Sequence, residues 1–262
     1  MTRPSTYNGG TDLKRIFFVA LLAGAAAAFS AVPASANHSW NGYHWARTSN
    51  PFTLKLGDNV SGAWDSMLVT ASSDWSNSSV LDTQIVAGGT KAKSCRPTSG
   101  RVEVCSANYN NTGWLGLAQI WVTGGTHITQ GVVKNNDYYF GTSSYQYNNT
   151  AEMQHVICQE IGHTLGLDHQ DESGISLNTC MDYYHNTSAS DTKSTDPNQH
   201  DYDELATIYQ HLDSFSTVET ASAGFLPDAV PSFAPATRLN DSTYVDDLGG
   251  GRKLVTYVIW VR

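Results

Sequence analysis

The sequence predicts an α+β fold. Two features carry that expectation: short strand-like runs bounded by Gly-Gly and Asn-rich turns fill residues 37–141, and three segments repeat apolar residues at three- and four-residue spacing. The strands are expected at residues 52–56, 81–86, 101–106, 118–122 and 127–133. A first helix fits residues 62–75, where Ala63, Trp64, Met67 and Leu68 fall at helical spacing. A second fits residues 150–165, with Met153, Val156, Ile157, Ile161 and Leu165 on one side, Asn149 or Thr150 as its cap, and Gly166 where a helix ends in a left-handed turn. Asp196-Pro197 opens a third over residues 199–212, with Tyr202, Leu205, Ile208, Tyr209 and Leu212 on its apolar side. The tryptophans scattered through the first half, from Trp40 to Trp121, are assigned to core packing.

The ends of the chain have a different character. Lys14-Arg15 precedes an apolar run, Ile16 to Phe29, and then the small-residue signature Ala34-Ser35-Ala36, so residues 1–36 are expected to be a signal peptide cleaved before Asn37. A membrane anchor is the competing assignment, but the run is shorter than the roughly 20 residues that span a bilayer. Residues 37–213 then hold the main domain, residues 214–235 an extended linker rich in Pro, Ser, Ala and Thr, and residues 243–248 and 253–260 a terminal hairpin around Gly249-Gly250-Gly251. The chain has 262 residues, with 15 basic against 24 acidic side chains and a net charge of −9. That sign argues against nucleic acid and anionic membranes as partners, since both require basic surface. The protein is expected to be secreted, extracellular and monomeric.

Four cysteines lie beyond the leader, where an oxidising compartment favours disulfides. Three pairings are possible. Cys95–Cys105 would close a local loop through Arg96-Pro97 and Ser99-Gly100, and Cys158–Cys180 would tie the second helix to the segment around Met181. No C-x-x-C spacing points to a metal cluster instead.

The chemistry gathers in Gln159-Glu160-Ile161-Gly162-His163-Thr164-Leu165-Gly166-Leu167-Asp168-His169. Positions four apart share a helix face, so Gln159 and His163 project side by side, with Glu160 just off that line. Gly166 lets the chain turn sharply, so that His169 can swing back towards the same point. Two imidazoles and an oxygen donor meeting with one position open is the form of a catalytic zinc site, and Glu160 is placed to take a proton from water on the metal. His155 lies ~12 Å along the helix from His163, too far to share an ion, and is assigned as a partly buried or surface histidine. Glu152, Asp168, Asp171 and Glu172 are expected on a solvated surface, with hydrogen bonding to His169 or His163 as the other possibility. Asp191, Asp196, Asp201, Asp203 and Glu204 fit no calcium loop and are assigned to helix capping and solubility.

The run is similar to the elongated metzincin motif H-E-x-x-H-x-x-G-x-x-H, which it matches at Glu160, His163, Gly166 and His169, and Cys180-Met181-Asp182-Tyr183 looks like that family's Met-turn. The resemblance, to matrixin- and serralysin-like catalytic domains, spans about residues 37–212. It implies a zincin-like two-lobed domain: a twisted mixed sheet, largely parallel, with two helices above, and the Met-turn and one helix below. It implies Zn2+ held by His163, His169 and Gln159, Glu160 as general base, Met181 and Gly166 as support, and Tyr183 as a metal-side tyrosine that stabilises the oxyanion. Gln159 stands where the family has its first histidine. An amide oxygen is a poorer zinc donor than imidazole. Three outcomes follow: Gln159 binds zinc through its oxygen, another ligand or metal substitutes, or the site holds no metal. The function so implied is that of a secreted endopeptidase acting on peptide or protein substrates. The alternatives are a non-catalytic metzincin-like binding protein with an impaired metal site, and a lectin-like or wall-binding module built on the tryptophans and the terminal hairpin. No cysteine-switch segment lies between Asn37 and the first strand, so activity is expected from export onward or under outside control.

Overall fold

One large mixed sheet organises the protein, seen in a computed structural model that describes residues 1–5, 38–142, 144–219 and 236–261. In chain order the elements are β1 (His44–Trp45), β2 (Phe52–Asn59), α1 (Trp64–Trp75), β3 (Leu81–Ala87), β4 (Val102–Ala107), β5 (Trp114–Thr123), β6 (His127–Asn136), the short α2 (Asp137–Phe140), α3 (Thr150–Thr164), α4 (Gln199–Ile208), β7 (Thr237–Arg238), β8 (Thr243–Gly249) and β9 (Arg252–Trp260). Residues Ala36–Arg262 hold together as one unit. The expected leader, beyond residues 1–5, and residues 220–235 of the expected linker lie outside the described residues.

The strand order is β3-β2-β4-β6-β5-β9-β8-β7, with β1 paired to the beginning of β6. From β3 to β6 the neighbours run parallel, and from β6 outward through β5, β9, β8 and β7 they run antiparallel. The largely parallel sheet that the resemblance implies is therefore only half of what forms, because β5 reverses direction and the terminal hairpin continues from it. Parallel strands need crossover connections, and α1 supplies the one between β2 and β3. Alternation is clear in β2, where Phe52, Leu54 and Leu56 are buried. β5 has no such alternation. Its residues 114–122 are all buried, because it has strands on both sides and α3 against it.

Helix α3 is enclosed on every side, with all residues from 151 to 164 buried. Helix α1 packs beside it, and Trp75 Nε1 donates to Cys158 O at 3.1 Å. Asn149 caps α3 as expected, its side chain accepting from Glu152 N at 3.0 Å. A capping box starts α4: the Asn198 side chain accepts from the Asp201 amide while the Asp201 carboxylate accepts from Asn198 N. This helix ends at Ile208, earlier than its apolar spacing predicts. Arg47, almost fully buried, donates to the carbonyls of Tyr209 and His211, and Asn50 donates to Tyr209 O at 2.6 Å, so acceptors are met outside the helix. Leu212, placed by the sequence on the apolar side, is left exposed.

Both expected disulfides form, Cys95–Cys105 and Cys158–Cys180. Most of the tryptophans are in the core: Trp45, Trp64, Trp75, Trp114 and Trp121 are buried. Among the described residues no helix is long and apolar enough to cross a membrane. Replacing Cys158 and Cys180 together by alanine opens a cross-link that spans 22 residues. Loop entropy puts the cost at about 3 kcal/mol, or a fall of roughly 6–12 °C in thermal midpoint for a domain of this size. A midpoint unchanged by the double substitution would show that packing alone holds α3 to the segment around Met181.

Candidate metal centre

The site begins with the end of α3. Leu165 closes the helix, and Gly166 follows at φ 102°. A β-carbon on Gly166 would lie 2.1 Å from Tyr43 O, so both the left-handed backbone and the close approach require glycine. The turn returns the chain to the helix and brings His169 Nε2 within 3.1 Å of His163 Nε2.

The proton positions on these rings follow from their other nitrogens. His163 Nδ1 faces Leu167 O at 2.9 Å, and a carbonyl can only accept, so Nδ1 carries the hydrogen. His169 Nδ1 faces Glu172 Oε1 at 3.0 Å, and the bond to His169 holds that carboxyl below its usual range, so it too is an acceptor. Burial, reinforced by the nearby His169, pushes the His163 pKa well below its ordinary value. With both protons on Nδ1, the two Nε2 lone pairs point at one another. That arrangement is unfavourable unless a cation or an added proton lies between them. Two nitrogens on one tetrahedral zinc, bound at ~2.0–2.1 Å, stand roughly 3.3 Å apart, close to what is seen.

Gln159 is fully buried, and its amide assignment is fixed by its neighbours. Nε2 lies 2.8 Å from both Cys180 O and Asp182 O, so the atom facing these two carbonyls must be the NH2 group. Its Oε1 is buried and accepts no hydrogen bond. A lone acceptor of this kind costs about 1–3 kcal/mol, and a bound cation would satisfy it. Two imidazole lone pairs and an unpartnered amide oxygen are donor types that a metal takes.

The Met181 turn backs the site. Met181 Sδ packs so closely under Gly162 that a β-carbon there would meet it at 2.4 Å. Gln170 N donates to Met181 O and Tyr183 N to Asp171 O, both at 2.7 Å, which binds the turn to the segment carrying His169. Glu160 is fully buried against β5, where a β-carbon on Gly116 would come within 3.0 Å of its Oε1. Burial raises its carboxyl well above the usual range, and the Ile259 and Ala118 backbone pulls it back only in part, with neither oxygen in a well-formed hydrogen bond.

Strand β9 closes the front. Tyr257 stacks on His163 with ring centroids 4.2 Å apart and planes within 4°. The Tyr183 hydroxyl accepts from Trp260 N at 2.7 Å and donates to Val258 O at 3.4 Å, and its ring meets His169 edge-on at 5.1 Å. A cleft of about 630 Å³ opens beside Tyr183 and Glu172, walled by Arg238, Asn240, Ser242 and Tyr244 among others. The terminal hairpin is legible in the sequence, but its position over the two histidines is not, since strand pairing across 137 residues (Gln119 with Thr256) leaves no local mark.

Among the predicted residues the structure brings His163, His169 and Tyr183 together, sets Met181 under the helix at Gly162 and Gln159 against the Cys180 and Asp182 carbonyls, and packs Glu160 against β5. Glu172 takes the hydrogen-bonding role towards His169. Glu152 departs from its expected place on a solvated surface: it is wholly buried, and accepts from His185 Nδ1 and Asn186 N at 2.6 Å each, with His155 Nδ1 at 3.4 Å. His155 is wholly buried with it. Three groups of histidines and carboxylates among the described residues gather closely enough to hold an ion: His38, His200 and Asp201; His44, His211 and Asp213; Asp168, His169 and Glu172. The sequence singles out none of the first two, whose members come from distant segments. No protein-family model matches the chain, and no curated protein matches it in sequence.

Glu152 makes acid stability testable. Burial alone would raise its carboxyl, but the bonds from His155 and His185 prevail and hold it down at about 2. The unfolded value is about 4.3, so the ionised form favours folding by about 3 kcal/mol, in full above that value and lost as pH falls towards 2. Glu152→Gln should therefore lose much of its stability at pH 7, and the gap from the parent should shrink by pH 3 in denaturant titrations. A gap independent of pH would assign Glu152 a packing role only.

Proposed function

We propose that this protein is a secreted, zinc-dependent endopeptidase of the metzincin kind, in a form whose site is closed by its own C-terminal strand. The observation that carries the proposal is the meeting of the His163 and His169 lone pairs, with both outer nitrogens committed as donors. Support comes from the unpartnered Gln159 oxygen, from the buried Glu160 next to it in sequence, and from Met181 packed under Gly162. The order β3-β2-β4-β6-β5, with α1 and α3 packed on it, suits the upper lobe of a zincin-like domain, and the Met181 turn with α4 suits the lower. The two disulfides suit an extracellular setting.

In this proposal His163, His169 and Gln159 Oε1 hold the ion. Zinc there supplies Lewis acidity, drawing electron density from a scissile carbonyl and making water easier to deprotonate. The Glu160 carboxylate takes the proton of the attacking water and passes it to the leaving amine nitrogen. The Tyr183 hydroxyl donates to the carbonyl oxygen as negative charge develops there. In the closed form neither residue can do this work: Tyr183 is bonded to β9, and Glu160 is sealed beneath β5 and β9. Displacing β9 frees both. The same closure favours a second reading, a non-catalytic protein that keeps the metal centre as a structural or binding element.

Elemental analysis and cleavage of an unfolded protein substrate separate the two. The protein should lose one equivalent of zinc on His163→Ala or His169→Ala. Gln159→His should bind that equivalent roughly tenfold or more tightly. Tyr257→Gly, which takes the ring off His163, should raise chelator-sensitive cleavage above the parent, and adding Glu160→Gln should weaken zinc binding and abolish cleavage even at a zinc concentration that keeps the site filled. Zinc bound without cleavage in Tyr257→Gly favours the non-catalytic reading, and full zinc retention by His163→Ala overturns both.

A further inference from the structure

A second cluster of metal-binding side chains stands apart from His163 and His169, where β1 and β6 begin and the chain leaves α4. His44 in β1 is paired in register with His127, the first residue of β6. Beyond α4 the chain passes close by: Asp213 N donates to Arg47 O at 2.9 Å. His211 and Asp213 are two residues apart, and both turn their side chains towards His44.

His44 is buried, and its Nδ1 lies 2.7 Å from Gly42 O. A carbonyl fixes the hydrogen on Nδ1, so the Nε2 lone pair is free, the form in which histidine binds metals. That Nε2 is 3.1 Å from His211 Nε2 and 3.7 Å from Asp213 Oδ2. His211 Nε2 is in turn 3.8 Å from Asp213 Oδ1. These are separations that ligands of one small ion have, with each donor a bond length from a common centre. The carboxylate is itself oriented: His127 Nε2 lies 3.2 Å from Oδ1, and Arg47 Nη1 is 3.0 Å from Oδ2. Groups one layer out that fix a ligand in this way are typical of sites built for a metal rather than of chance surface clusters.

We propose that His44, His211 and Asp213 form a second metal site, with His127 and Arg47 orienting the carboxylate. Two imidazoles and a carboxylate select zinc or a similar first-row divalent ion over calcium or magnesium, which prefer oxygen alone. The ion joins segments more than 160 residues apart in sequence, as the His44–His211 and His44–Asp213 contacts are. Its role is to pin the chain beyond α4 to the start of the sheet. Without an ion, the same geometry is met by a hydrogen bond from protonated His211 Nε2 to His44, and this is the arrangement that the experiment must exclude.

The test uses the full exported chain, with zinc as the probe. After equilibration in micromolar zinc and removal of excess, the parent should carry two equivalents, His211→Ala and Asp213→Asn one each, and His163→Ala together with His211→Ala none. Cobalt(II) in His163→Ala should give a visible absorption band that His211→Ala abolishes. Zinc should raise the thermal midpoint of His163→Ala by several degrees over the chelated protein and leave that of the double variant unchanged. Equal midpoints of parent and His211→Ala in chelator show that the lost zinc does not reflect unfolding. If His163→Ala proves metal-free with His44, His211 and Asp213 intact, the second site is refuted, and a parent with one equivalent lost only on His211→Ala supports it while refuting the His163 centre.

Discussion

Two imidazole nitrogens, each with its proton turned away, face one another at 3.1 Å in the interior of this protein, and several local features serve to keep them there. Each ring is held at its outer nitrogen, one by a backbone carbonyl and the other by a carboxylate. The helix that carries His163 is enclosed on all sides, so the ring has no freedom to swing into solvent. The return of His169 depends on Gly166, where the backbone of Tyr43 leaves no room for a side chain. From below, the Met181 turn is joined to α3 by a disulfide and by the Gln159 amide, and to the His169 segment by backbone hydrogen bonds. Groups that repel one another at this distance require a rigid surround, and the surround here is rigid from three directions.

Closure of the fourth direction by β9 changes the character of the sheet. Without it β5 would be an edge, with a row of unpaired amides and carbonyls beside the histidines. An exposed edge invites any extended chain to add a strand, and β9 adds one from within the same molecule. The pairing covers eight register positions of β5, and the side chains of Leu254, Val255, Tyr257, Val258 and Ile259 are buried with it. Backbone hydrogen bonding and apolar burial therefore act together, which makes the closed form stable rather than a chance contact.

Much of this was legible in the sequence, and the parts that were not share a cause. Asn149, the spacing from Met153 to Leu165, and Gly166 mark the start, face and end of α3, because caps and periodicity are local signals. Strands β2 to β6 were legible as segments for the same reason, though β2, β3, β5 and β6 are longer than their patterns suggest, β4 is shifted by one residue, and the two-residue β1 left no pattern. What could not be seen depended on contacts between distant segments. α4 stops at Ile208 because Arg47, far back in the chain, meets the carbonyls that follow. Glu152 is buried because His185 and Asn186 reach it across the site. The cluster at His44 is assembled from three places, and only the His211-Leu212-Asp213 spacing hints at it.

The buried carboxyl of Glu160 and the substitution at Gln159 bear on each other. An ion held by two neutral imidazoles and a neutral amide keeps its full charge in a dry, low-dielectric site, and an isolated charge there is strongly disfavoured. A third imidazole would be a stronger donor, but it would be just as neutral. Glu160, next to Gln159 in sequence, is a fully buried carboxyl that burial drives towards its protonated form. A cation beside a carboxyl reverses that preference, since the charged form then gains more from the ion than it loses from leaving water. Under the proposed function, closure by β9 thus disfavours either charge alone and favours the two together. A weak amide ligand is tolerable on this account, because the carboxylate, drawn into its charged form by the ion, makes good part of what the missing imidazole would have supplied.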